Sequence, residues 1–544
     1  MSEQKYNLLD EPWIIVTNSQ GIEETLSLTD VLLRSHELKS LSGEMPAQDI
    51  SVLRLLLGVL YAVYTRTDEY AEARAEGAEE MFLEIWEEIW KRGHFPEGEI
   101  KTYLEQYHDR FWLVHPERPF YQVPEIKKGN EIAVKKMIGE LVESNNKVQL
   151  FPIRSGKSRE ALSYAEAARW LLYLNNFDDA AAKQQFKELG KREMSVGWLG
   201  RLGVVYIEGD NLFETLLLNF ALLNDDEPWE LGKATWELDS PRTEERTQIP
   251  IPNSGEELFT LQSRRIKLNW EDDSVIGYML LCGDQFSTEN AFVEPMTIWR
   301  YNKGKTGQKE SFSLPPNVSR NPSKQLWRDF APLLVNSEEA RPPGIIKWIG
   351  KLIDVVPLNK VRICTLLIKY GSMQSGVDDV WSDSLSVNHS LLAQLEEAED
   401  GWIDRISKIV SLTEELVKEI GWLAQNISIS AGATDDNSSR ISAQELAYSA
   451  LDIPFREWLT SIDPKRDELD MDDLIQEWVE NAREIVFRQG EHLVAQAGTQ
   501  AFIGRNVIAN KKEVYYSVPI VYGWFKRNIF KKLKEEGYGK EGRS

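Results

Sequence analysis

Ile406-Ser407-Lys408-Ile409-Val410-Ser411-Leu412-Thr413-Glu414-Glu415-Leu416-Val417-Lys418-Glu419-Ile420-Gly421-Trp422-Leu423 places apolar residues at 406, 409, 412, 416, 420 and 423, the three- and four-residue steps of one helical face. Leu474, Trp478, Ile485 and Leu493 repeat the pattern, and Phe525, Ile529 and Leu533 close the chain with it. Polar joins such as 433–440 separate these runs. Long amphipathic helices with short connections predict a helical bundle. The change of character begins near Ser382, so the sequence divides into a domain over 1–381 and a second over 382–544.

Upstream the patterning is mixed. Trp13-Ile14-Ile15-Val16 reads as a short strand, followed by a turn at Ser19-Gln20-Gly21 and a helix capped by Ser27 or Thr29. Asp49–Tyr64 carries Leu53, Leu56, Leu57 and Leu60 on one helical face, and Ala71–Trp90 reads as a single acidic helix. Leu212–Leu223 is an apolar helix entered after Asn211. Leu258–Trp270 reads as a strand that pairs with Val275–Cys282 across Glu271-Asp272-Asp273. Tyr301–Pro322, rich in Lys, Gly, Ser and Pro, reads as a loop. The fold class expected is α+β, a large mixed α/β N-terminal domain followed by a helical C-terminal one.

Composition narrows the function classes. A chain of 544 residues exceeds one hydrophobic core, and 42% hydrophobic with 28% charged residues is ordinary for a folded domain. The best apolar run, Val52–Val63, is short and interrupted by Arg54, so no membrane span is expected. Met1–Asp10 is polar and does not read as a signal peptide, which makes the expected location cytoplasmic. Cys282 and Cys364 are the only cysteines, so neither a disulfide framework nor a Cys-based zinc site is expected. Six histidines show no ligand spacing. The formal charge of −24 repels nucleic acid at long range and leaves only local basic patches to bind it.

Several stretches bear on a site. Gly156-Lys157-Ser158 and Gly304-Lys305-Thr306 resemble the end of a phosphate-binding loop, but its first glycine is replaced by Phe151 and Trp299, which excludes nucleotide binding of that type. Gly197-Trp198-Leu199-Gly200-Arg201-Leu202-Gly203 leaves side chains out at three-residue steps, either for a close ligand or for a tight turn. Gln262-Ser263-Arg264-Arg265-Ile266-Lys267 suits one basic strand face or plain solvent exposure. Tyr370-Gly371-Ser372-Met373-Gln374-Ser375-Gly376 is a polar loop bracketed by glycines. Arg505, Lys511, Lys512, Lys526, Arg527, Lys531, Lys532 and Lys534 interleave with Tyr515, Tyr516, Tyr522, Trp524 and Phe525, a pattern fitting nucleic acid or a helix C-terminus over core aromatics.

Read in order, six segments resemble the CasA family, whose members are the large subunit of type I-E Cascade complexes. These are Asn7-Leu8-Leu9-Asp10-Glu11-Pro12-Trp13-Ile14, His115-Pro116-Glu117-Arg118-Pro119-Phe120, Ala165–Leu172, Gly209–Asn219, Gln262-Ser263-Arg264-Arg265 and Glu294-Pro295-Met296-Thr297-Ile298-Trp299-Arg300. The resemblance implies a mixed α/β domain followed by a four-helix bundle. It implies a non-catalytic subunit without cofactor or metal that reads a short motif, the PAM, from the minor groove of double-stranded DNA. Its implied partners are the other Cascade subunits, the CRISPR guide RNA, target DNA and the system's helicase–nuclease.

Family members read the motif with a glycine loop, a lysine finger and a glutamine wedge. By position, Gln374 matches the wedge, with Met373 and Ser375 beside it; Gly197 and Gly200 are the candidate glycine loop; Phe151 matches a loop touching the guide RNA. The finger position, Ser287–Phe292, contains no lysine, leaving Arg264, Arg265 or Arg300 to substitute. Lys526, Arg527, Lys531 and Lys532 are expected on the DNA backbone. Two rival readings, a scaffold without DNA readout and a carbohydrate-active hydrolase with paired carboxylates, lack a singled-out residue set.

Overall fold

The computed structural model describes residues 4–126, 131–139, 154, 156–180, 195–287, 289–303, 309–313, 325–337, 340–356, 358–395, 401–434, 436–465, 470–509 and 512–538. The chain divides into two compact units, Met1–Pro316 with Asn336–Ser384, and Asn317–Val335 with Leu385–Ser544. Residues 317–335 therefore belong with the second unit although they lie upstream of Ser382. Trp327 accounts for this: its ring stacks on Phe455 at 4.4 Å and its Nε1 donates to Asp452.

The first unit is built on helix α1 (Pro46–Tyr64), which starts with proline at a position that needs no N–H. It is apolar on all sides and buried from Ile50 to Tyr64. It is long and apolar enough to cross a membrane, but 94% of that window is buried inside the chain, which makes it a core helix. Its single charge in that buried stretch, Arg54, forms a two-point pair with Glu294 at 2.8 and 2.9 Å and lies over the Phe259 ring at 3.8 Å.

Helix α2 (Tyr164–Phe177) opens with a reciprocal cap between Ser163 and Glu166. After α3 (Trp198–Leu202) and strand β1 (Val204–Glu208), Asn211 caps α4 (Leu212–Leu218). This helix ends short of Leu223 because the Asn219 side chain bonds both backbone groups of Ile207, at 2.6 and 2.9 Å, and ties the chain to β1. Strands β2 (Arg264–Glu271) and β3 (Ser274–Cys282) form the expected antiparallel pair, turning at Asp272 with φ 51°. The strand does not begin at Leu258; Gly255–Phe259 is a helical turn capped by Ser254. The acidic helix is two helices, Asp68–Glu76 and Glu79–Arg92, parted by left-handed Gly77. Part of the stretch read as a loop is a hairpin of Trp299–Lys303 with Lys309–Ser313. Strand β4 (Lys360–Tyr370) lies between β1 and β5 (Val377–Asn388) in one sheet.

The second unit gathers α6 (Asn437–Ser461), α7 (Met471–Gln496) and α8 (Val518–Glu535) against the long α5 (Trp402–Ala431). A hairpin of β6 (Arg505–Ala509) and β7 (Lys512–Tyr516) precedes α8. The face read at 406, 409, 412, 416, 420 and 423 is buried throughout. Across it, Trp478 donates to Thr413 Oγ1 at 3.1 Å, and Trp458 stacks on Trp478. In α7 the core residues include Ile475, Trp478 and Ile485, while Leu474 and Leu493 are half-buried.

Candidate nucleic-acid interface

The loop from Gly371 to Gly376 joins the end of β4 to the start of β5. Ser372–Gln374 form one tight turn, with the Gln374 N–H donating to the Gly371 carbonyl at 2.9 Å. Gly371 is required here, because a Cβ on it would lie 2.6 Å from the Ser375 carbonyl oxygen. Gln374 is exposed and has φ 57°, the left-handed region. That conformation costs a residue with a Cβ about 1–2 kcal/mol. The left-handed region is also occupied at exposed Gln248 (φ 56°), so at Gln374 the dihedral sets how the side chain projects from the turn. Ser375 beside it is half-buried; the Met373 side chain lies outside the described ones.

The turn is held from the segment just after α2. The Ala180 N–H donates to the Gln374 carbonyl at 2.9 Å, and the Gly376 N–H donates to Asp179 Oδ2 at 2.5 Å. At the loop's base, the Tyr370 hydroxyl donates to the Phe177 carbonyl at 2.8 Å. Burial raises the Tyr370 phenol well above its usual range, so it stays a neutral donor.

Gly197 and Gly200 support this arrangement from inside, which corrects their assignment as a DNA-facing glycine loop. Both are buried. A Cβ on Gly197 would sit 2.4 Å from the Asn176 carbonyl oxygen, and one on Gly200 would sit 2.0 Å from the Tyr370 hydroxyl. The room left by the glycines is filled by the chain's own backbone and Tyr370, not held open for a ligand.

Arg264 and Arg265 are likewise corrected. Both side chains are fully buried. Arg264 pairs with Asp178 at 2.8 Å and donates to the carbonyls of Asp179 and Ser195. Arg265 pairs with Asp284 at 2.6 Å and donates to the carbonyls of Gln262 and Glu244. Burial alone would push the Asp284 carboxyl up, but the guanidiniums of Arg246 and Arg265 outweigh it and hold it below the usual range. Guanidiniums so buried and engaged are not offered to phosphate, and strand alternation misled because both faces of β2 are covered near its start. The neighbouring motifs share this role: the Trp198 indole donates to Glu294, and its backbone N–H donates to Ser263 Oγ.

Arg300's side chain and Phe151 lie outside the described ones. On α8, Lys526, Arg527, Lys531 and Lys534 are exposed, with Lys526 over the Tyr522 ring. Lys532 departs from the expected strip, because it turns inward to Glu415 at 2.6 Å and Glu419 at 3.8 Å on α5. Both cysteines are buried, and burial pushes their thiols up to about 11 at Cys282 and about 12 at Cys364, so they stay protonated. Among the described residues no group of three or more His, Cys, Asp or Glu is placed to hold a metal.

Sequence reasoning missed Asp178, Asp179 and Tyr370. One signal was available: two aspartates directly after a helix sit against the negative end of its dipole, which is unfavourable unless a cation or N–H groups meet them.

Comparison with known proteins agrees with this architecture. The family described as CRISPR-associated protein Cse1 matches residues 7–489. CRISPR-associated protein CasA/Cse1 of Thermus thermophilus is 28% identical over 435 residues, covering 78% of each chain. The crystal structure of Thermobifida fusca Cse1 superposes with a TM-score of 0.80 at 26% identity, covering 98% of both chains. Cse1 from Acidimicrobium ferrooxidans shares the fold at a TM-score of 0.78 and 23% identity, covering 99% of this chain and 100% of that one. With most of its length matched by one family and its fold shared end to end with these relatives, the chain belongs to the CasA/Cse1 family of type I-E Cascade.

Proposed function

We propose that this chain is the non-catalytic large subunit of a cytoplasmic RNA-guided surveillance complex, and that Gln374 is its wedge for opening target DNA. The observation that carries the reading is the exposed Gln374 held at φ 57° in a turn tied down on both sides. An inserted side chain opposes stacking, which costs a few kcal/mol per step, and must satisfy the base edges it displaces. The Gln amide offers both donors and acceptors, so it meets either strand without committing to one sequence. The minor groove presents a degenerate pattern, which suits tolerance of several PAMs. Guide RNA pairing then takes over sequence reading.

Family membership supports the remaining roles: contact with the guide RNA and other Cascade subunits, and recruitment of the helicase–nuclease. The exposed Lys526, Arg527 and Lys531 supply backbone contacts in this reading, and Ser375 and Met373 flank the wedge. Arg300 is the candidate in place of the lysine finger.

The test is the rate of target opening, followed by a fluorescent base beside the motif. Gln374→Ala slows opening of matched duplex while motif-bearing duplex is still captured. DNA mismatched next to the motif restores the rate, because the missing step has been done in advance. Equal defects on both substrates would overturn the wedge role.

A further inference from the structure

We infer that Asp179 is a positioning residue for the wedge, its carboxylate fixing the backbone geometry from which Gln374 projects. This rests on the reading of Gln374 as the wedge. Two hydrogen bonds from adjacent residues land just C-terminal to the strained φ, and the Gln374 N–H, donating to the Gly371 carbonyl at 2.9 Å, holds its other side. Ala180 N–H holds the Gln374 carbonyl at 2.9 Å, and Asp179 Oδ2 holds the Gly376 N–H at 2.5 Å. The Gln374 dihedral (φ 57°) is thereby held at both ends, by Gly371 and by Ala180, and Asp179 fixes the extended Ser375 between it and left-handed Gly376 (φ 71°). A left-handed glutamine persists only where its surroundings over-determine it.

The bracket is itself anchored. Arg264, fully buried, pairs with Asp178 and donates to the carbonyl of Asp179 at 3.2 Å and of Ser195 at 2.8 Å. Tyr370, seated over Gly200, ties the base of the loop to the Phe177 carbonyl. The 177–180 segment is therefore a fixed reference, and the turn is suspended from it. A carboxylate accepting a backbone N–H is a charge-assisted bond, stronger than a neutral one. Without it, Gly376 loses this partner and the turn keeps the two backbone bonds of Gln374, a weaker hold that loosens the direction in which the amide projects.

The experiment uses the full chain assembled with its guide RNA and partner subunits, on matched duplex and on duplex mismatched beside the motif. Asp179→Ala should slow opening of matched duplex about tenfold, the effect of one charge-assisted bond, with capture of motif-bearing duplex unchanged within about twofold. The mismatched duplex should restore the rate. Asp179→Asn keeps an acceptor oxygen and should recover most of it. Combined with Gln374→Ala, Asp179→Ala should add nothing further, because both act through one side chain. Should Asp179→Ala fail to assemble, Ala180→Pro removes the other bracket bond and should give the same rescuable defect. Opening at the unaltered rate in Asp179→Ala, or a defect that adds to that of Gln374→Ala, would overturn the inference while leaving the wedge intact. A normal rate in Gln374→Ala would instead strike the wedge reading itself.

Discussion

At Gln374 the side chain and the backbone make separate contributions, and substitutions can part them. Alanine removes the amide but retains a Cβ in the left-handed region. Glycine removes both the amide and the strain, which recovers about 1 kcal/mol in the turn. Gln374→Gly is therefore expected to melt at or slightly above the temperature of Gln374→Ala, while opening matched duplex as slowly or more slowly. A glycine variant that opened DNA at the unaltered rate would show that backbone shape, not the amide, performs the step. Arg264 illustrates the opposite case, a residue of the right chemistry in the wrong place. Its guanidinium is engaged by Asp178 and neighbouring carbonyls, so it braces the segment beside the turn and is not offered to a phosphate.

Among the elements, α8 separates two kinds of lysine that look alike in sequence. Lys526, Arg527 and Lys531 project into solvent, whereas Lys532 reaches Glu415 and Glu419 on α5. Replacing the first three with alanine should leave motif preference intact and make target binding less sensitive to salt, the slope falling by about 1 for each phosphate no longer neutralised. Lys532→Ala should leave the slope alone and lower the unit's stability by about 0.2–1 kcal/mol, the usual worth of a partly exposed pair. A changed motif preference in the triple variant would contradict a backbone role. Helices and strands with strong local signals were legible: the face of α5, the Asn211 cap, the β2–β3 turn at Asp272. The missed boundaries had two causes: α4 is stopped early by the packing contact of Asn219 with Ile207, whereas the breaks at Gly77 and Ser254 are local capping signals that the apolar periodicity overrode. Gln374 is singled out by family resemblance alone. Its turn is hydrogen-bonded to residues 179 and 180, contacts almost 200 positions away that no local pattern reveals.

For the molecule as a whole, the formal charge is −24, from 63 Lys and Arg against 87 Asp and Glu. At physiological salt the repulsion from this net charge is largely screened beyond about 8 Å, so approaching duplex DNA meets mainly the charges near its own contact surface. Inside that distance the exposed cations of α8 act, but Arg264, Arg265 and Lys532 are neutralised internally and contribute nothing to the field a phosphate meets. Roughly three or four phosphate contacts correspond to a slope of about −3 in log affinity against log salt. That is too few to hold DNA tightly against the net repulsion. The isolated chain is therefore expected to bind duplex only in the non-specific range, about 10⁻⁴–10⁻⁶ M at physiological salt. Within the assembled complex, affinity and slope should both rise, because other subunits and guide pairing supply what this chain lacks. Salt titrations of the isolated chain and of the complex, on duplexes with and without the motif, measure both quantities. Nanomolar, motif-selective binding by the isolated chain would contradict this division of labour. On the proposed reading, such an acidic subunit would hold DNA only where the rest of the assembly has already brought it, so Gln374 would test sites without trapping the complex on every duplex it meets.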